Sequence, residues 1–129
     1  MTPAIVTAAS VAASTLTGMD TAPQVVQAPA AMLRGMDLER NSFQDFEVMV
    51  GETARFGDLD IKLNDCRYLE NNPEQDSYAF LVIHDLFQDQ EIFRAWMISS
   101  SPALSAIDHN RFDIWLIRCA TKNPEDSSR

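Results

Sequence analysis

The sequence predicts a mainly β domain: a small antiparallel β-sandwich or open barrel of six to seven strands with one short helical turn. Three observations point there. From Leu33 onward apolar residues recur in short runs with a period of two, the spacing that puts alternate side chains on opposite faces of a strand. Turn-forming pairs such as Gly51-Glu52 and Gly57-Asp58 break those runs at short intervals. At 129 residues, with poorly patterned ends, the chain has material for one core.

The elements follow in order. Met32 to Leu38 reads as a first edge strand. Phe46, Val48 and Val50 alternate with Asp45, Glu47 and Met49, and Gly51-Glu52 then turns the chain. Thr53 to Phe56 is a short strand, closed by Gly57-Asp58. Leu59, Ile61 and Leu63 alternate with Asp60, Lys62 and Asn64, which means one buried face and one wet face. Asn71 to Asp76 is a loop by composition. Ser77 to Leu86 is the next strand, with Tyr78, Phe80, Val82 and His84 on one side. Glu91 to Ile98 follows, with Ile92, Arg94, Trp96 and Ile98 opposite Phe93, Ala95 and Met97. Ser99-Ser100-Ser101 then precedes Pro102. Serine caps a helix, and proline at its first position gives up no hydrogen bond, so Pro102 to Ile107 is expected to form the helical turn. Phe112 to Cys119 is the last strand.

Residues 31–119 are thus the expected β domain. Residues 1–30 read as a degraded signal or a disordered linker. Ile5 to Leu16 is small and weakly apolar, but the first basic residue is Arg34, so the charged start of a secretory signal is missing. Residues 120–129 read as a disordered polar tail. No apolar run reaches the length of about eighteen residues that a membrane-spanning helix needs. Nineteen acids against ten bases give a net charge of -9. That surface repels phosphate backbones and anionic lipid alike, which disfavours nucleic-acid and membrane binding.

The two cysteines, Cys66 and Cys119, admit three readings: a disulfide, two free core thiols, or half of a metal site. There is no C-x-x-C to support a thioredoxin-like or zinc-ribbon role. Cys119 falls in the last strand in phase with Trp115 and Ile117. Cys66 is even-numbered, whereas Leu59, Ile61 and Leu63 are odd. If Cys66 is buried, its strand must change phase near Asn64-Asp65, as a β-bulge would do.

Leu33 to Cys119 resembles a family of small exported bacterial proteins known as domain of unknown function 2155. Three stretches carry the likeness: Phe46-x-Val48-x-Val50-Gly51-Glu52-Thr53-x-x-Phe56-Gly57-x-Leu59-x-Ile61, running on to Cys66; Phe93-x-x-Trp96-Met97, running through Ser100-Ser101-Pro102-Ala103-Leu104-Ser105-Ala106; and His109, then Phe112-Asp113-x-Trp115, ending in Cys119. Ala95 stands where the family suggests glycine. The resemblance implies an envelope or periplasmic location and a Cys66–Cys119 disulfide. It brings no established activity.

Candidate chemistry is sparse. Ser99, Ser100, Ser101, His109 and Asp113 include the residue types of a Ser-His-Asp triad, but no G-x-S-x-G elbow is present, and the serines suit a helix cap better. His84 and His109, with Asp85 or Asp108, have no metal-ligand spacing. No catalytic, cofactor-binding or metal residue is therefore expected. The candidate protein-binding residues are Trp96, Met97, Ser100, Ser101, Pro102 and Leu104, a strand end and a small-residue loop beside it. The expected function is a non-enzymatic envelope module that binds a protein partner or assists an assembly. The alternatives are an accessory subunit of an inner-membrane (respiratory) complex and a small serine hydrolase.

Overall fold

A computed structural model describes residues 24–70, 72–101 and 107–121. They form eight strands in two antiparallel sheets. Sheet I contains β1 (Val25–Gln27), β5 (Leu59–Leu69), β6 (Asn72–Asp85) and β7 (Gln90–Ile98) in that spatial order. β4 (Thr53–Phe56) pairs with β5. Sheet II is β3 (Ser42–Met49), β2 (Ala30–Asp37) and β8 (Phe112–Ala120). The architecture is the sandwich that the period-two pattern predicts, with one strand more. That strand is β1, which lies within the stretch read as signal or linker and pairs Val26 with Tyr68 of β5. The expected helical turn, Pro102 to Ile107, lies outside the described residues except for Ile107, which is buried and belongs to no strand or helix. Among the described residues no helix is long and apolar enough to cross a membrane.

The core lies between the sheets. Leu59, Ile61, Leu63, Leu81, Ile83 and Met97 from sheet I meet Leu33, Val48, Ile114 and Leu116 from sheet II. Each such side chain taken fully from water contributes about 1.5–3 kcal/mol. In β6 the buried row is Ser77, Ala79, Leu81, Ile83 and Asp85, so Tyr78, Phe80, Val82 and His84 form the outer face.

Two bulges carry the cysteines into this core. In β5, Leu63 opposes Leu81 and Asp65 opposes Phe80, which leaves Asn64 as an extra residue and shifts the phase. Cys66 therefore faces inward, opposite Ala79, and is fully buried. In β8, Leu116 opposes Leu33 and Arg118 opposes Met32, so Ile117 is the extra residue. This corrects the expectation that Cys119 shares a face with Trp115 and Ile117. Phe112, Ile114 and Leu116 hold the buried phase, and the bulge hands it on to Cys119. Cys66 and Cys119 are bonded, with Cα atoms 5.9 Å apart, inside the range a disulfide spans without backbone movement. The bond joins sheet I to sheet II. Beside it, the buried Ser77 Oγ accepts the Cys119 N–H at 3.0 Å, a second link between the sheets.

Candidate functional site

The opposite end of the sandwich gathers three tight turns, and short-range sequence effects place each one. The β2–β3 turn carries Asn41 and the β6–β7 turn carries Asp89, both at positive φ, a conformation Asn and Asp tolerate well. The β4–β5 turn carries Gly57 at φ +58, where a Cβ would collide with the Phe112 ring. The turns are tied together. Leu38 donates its N–H to the Arg111 carbonyl at 2.7 Å, and Leu86 donates to the Asp58 carbonyl at 2.8 Å.

A row of rings runs through this end. Phe46 stacks on Phe56 at 5.9 Å, Phe56 meets Phe112 edge-on at 5.7 Å, and Phe112 lies 5.3 Å from His109. Gly35 makes room for the row, since a Cβ there would stand 2.8 Å from the Phe56 ring. The row ends on a pair in which Asp85 is buried and His109 half-buried. His109 Nδ1 accepts the N–H groups of Arg111 and Phe112 at 3.0 and 3.1 Å. Its proton is therefore on Nε2, which donates to Asp85 Oδ2 at 3.1 Å. Asp85 Oδ1 accepts the N–H groups of Phe87 and Gln88 at 2.9 and 3.3 Å. Both ring nitrogens of His109 are thus engaged, and the pair builds the β6–β7 turn. At its tip Phe87 stands 85% exposed.

Next to the rings opens a pocket of about 390 Å³ between the edges of β3 and β4. Phe56 and Phe112 line it, Phe43 stands at its rim, and Arg40, Arg55 and Arg111 border it. Arg111 holds Asp37 through two parallel bonds of 3.0 Å, Nε to Oδ1 and Nη2 to Oδ2. These bonds keep the Asp37 carboxyl below its ordinary pKa of 3.8, helped by the Glu39 and Arg40 N–H groups. A depressed carboxylate adds stability that is complete above its unfolded value and is lost as pH falls through the folded one. Asp37→Asn is therefore expected to lower the urea midpoint near neutral pH, with the gap to wild type closing below about pH 4. Midpoints measured in steps from pH 7 down to 2 check this; a gap that stays constant into acid would remove Asp37 as its source.

A family model described as an uncharacterized protein conserved in bacteria, DUF2155, matches residues 31–119. The chain belongs to the DUF2155 family. It is also similar to the uncharacterized protein RP359 of Rickettsia prowazekii (strain Madrid E), at 30% identity over 79 residues. That match covers 59% of this chain and 51% of the relative, so it spans about half of the relative's own length. No solved structure matches.

The DUF2155 motif residues separate in space. Phe46, Phe56 and Gly57 of the first stretch meet His109 and Phe112 of the third at the ring row, while the arginines occupy positions the motif leaves open. The second stretch lies elsewhere. Trp96 is 41% exposed on the outer face of sheet I, edge-on to Phe80 at 5.4 Å. Met97 is fully buried in the core, which corrects its expected place on a binding surface: neighbouring strand residues face opposite sides. Ser99 Oγ accepts the Ser77 N–H at 2.9 Å. Ser100 is exposed and Ser101 half-buried, whereas Pro102 and Leu104 lie outside the described residues. The triad residue types are not joined among the described residues. His109 bonds to Asp85, and Asp113 accepts the Trp115 Nε1–H at 2.8 Å. His84 pairs with Asp89 at 3.0 Å, apart from His109. The Asp85–His109 pair was not foreseen. Its one sequence signal is that Asp85 falls in phase with Ala79, Leu81 and Ile83.

Proposed function

We propose that this chain is an exported, non-enzymatic protein-binding module of the cell envelope, and that it meets its partner at the turn-rich end of the sandwich. The observation that carries the reading is Phe87. A phenyl ring 85% exposed at a turn fixed by a buried carboxylate is a rigid apolar anchor, the kind of residue that dominates interface energy when a partner covers it. Leu86 and Leu38 stand exposed at the same end. The disulfide supports export, because paired cysteines persist in oxidising compartments.

Crosslinking in intact cells, followed by purification of the tagged full-length protein from the envelope fraction, tests this. A partner band is expected with wild type and should fall at least about tenfold with Phe87→Asp, since a central aromatic anchor is worth 2 kcal/mol or more. A band unchanged by Phe87→Asp would overturn the placement. Recovery of the protein from the cytosol with free thiols would overturn export.

A further inference from the structure

Resting on the export reading, we propose that a signal peptidase cuts this chain ahead of Gln24, after Ala13 at the earliest, and that Gln24 to Ala30 stays on the mature protein as a strap over the Cys66 bulge. The mature domain then starts several residues before the stretch, 31–119, that the family model matches.

The sequence offers two places for the cut. Signal peptidases hydrolyse the bond that follows a small-x-small pattern after an apolar stretch. Ala28-Pro29-Ala30 has that pattern. Small residues also run from Ala12 to Gly18, broken only by Leu16, at the end of the weakly apolar Ile5 to Leu16.

The strap decides between them, because it is bonded at each step. The Gln24 carbonyl accepts the Glu70 N–H at 2.8 Å. Val25, Val26 and Gln27 pair with Leu69, Tyr68 and Arg67 of β5. Ala28 donates its N–H to the Cys66 carbonyl at 2.7 Å, and the Pro29 carbonyl accepts the Val50 N–H at 2.9 Å. Gln27 Nε2 also donates to Asp65 Oδ1 at 3.0 Å. Asp65 and Cys66 directly follow the extra residue Asn64, so the strap grips the place where the strand changes phase and turns Cys66 inward. Ala28 and Ala30 are themselves buried.

A cut after Ala30 would remove all of this and add a charge. Hydrolysis puts one water across the peptide bond, leaving a carboxylate on Ala30 and an ammonium on Ala31. Ala31 is fully buried, opposite Val48 of β3 and Cys119 of β8, neither of which offers a countercharge. A charge taken from water without a partner is costly to hold in a core. A cut ahead of Gln24 keeps every one of these bonds, and Gln24 is exposed. The peptidase acts before the chain folds, so the fold does not steer the cut. It decides which product gives a stable domain.

The test expresses the full chain with a C-terminal tag in a bacterial host and recovers it from the envelope fraction without reductant. Intact mass and amino-terminal sequencing are expected to give a first residue between Ser14 and Gln24. A first residue at Val25 or beyond, or an envelope protein that retains Ile5, would overturn the boundary. The strap has its own readout. Protein made to begin at Gln24 is expected to melt within about 3 °C of the mature form. Protein made to begin at Ala31 should melt at least about 10 °C lower, or yield no disulfide-bonded domain, because several hydrogen bonds and two buried alanines go with the strap. Equal melting temperatures for the two starts would remove the strap. Envelope protein that begins at Ala31 with its disulfide intact would leave export standing and this boundary refuted. Unprocessed protein in the cytosol with free thiols would refute both.

Discussion

Replacing Cys66 and Cys119 together by alanine is expected to lower the unfolding free energy by about 4 kcal/mol and the melting temperature by roughly 15–30 °C. The estimate follows from the 53-residue separation that the bond closes, which strips conformational freedom from the unfolded chain. A domain of this size holds only 5–15 kcal/mol in total, so such a loss is a large share. Position adds to it. The bond is a side-chain cross-link between sheet I and sheet II, and both sulfur-bearing residues are buried, so alanine also leaves space in the core. Thermal unfolding of wild type with and without dithiothreitol should reproduce the gap, and the double variant should not respond to reductant. Titration of two free thiols in denatured, unreduced protein from its native compartment would refute both the bond and the export reading that leans on it.

How far the sequence anticipates this molecule is decided residue by residue. Where one strand face is apolar and the other polar, as in Leu59, Ile61 and Leu63 against Asp60, Lys62 and Asn64, alternation reads true because burial enforces it. The bulge at Asn64 was legible for the same reason: a cysteine off phase with its strand must either stay wet or shift. The bulge at Ile117 was not legible, since Trp115, Leu116, Ile117 and Cys119 are all apolar and give no phase to violate. β1 escaped notice because three residues, Val25–Gln27, are too few to show a period.

The site was harder to read than the fold. The bet on Trp96 to Leu104 rested on a small-residue loop, and one residue of that bet, Met97, belongs to the core. The ring row and the pocket depend on pairings between Gly35 and Phe56 and between Gly57 and Phe112, contacts across the two sheets that no local pattern encodes. Yet Ser77 and Asp85 were both visible as polar residues at the ends of an apolar row. A polar side chain in buried phase needs a partner, and the two partners mark the two ends of the sandwich. Ser77 serves the disulfide end, and Asp85 serves the turn that displays Phe87.

Asp85→Asn is expected to destabilise the protein by about 2–3 kcal/mol, although the change is nearly isosteric. The reason lies in the direction of every hydrogen bond around it. Phe87 and Gln88 donate to one carboxylate oxygen, and His109 Nε2 donates to the other. An amide has one oxygen only. If that oxygen keeps the turn, the new NH₂ faces Nε2–H. The ring can relieve that clash only by moving its proton to Nδ1, where the Arg111 and Phe112 N–H groups already point. One donor is left facing another in either arrangement, in a site where the aspartate side chain is only 2% exposed. Asp85→Ala, which orphans all three donors, should cost more, about 3–5 kcal/mol. The loss should be local as well as global: amide exchange at Phe87 and Gln88 should rise before that of Leu81 or Ile83, because the turn is released while the core strands hold. Partner capture should fall with it, since Phe87 would keep its ring but lose its fixed position. A melting temperature for Asp85→Asn within a degree of wild type would show that the carboxylate is not what holds the turn.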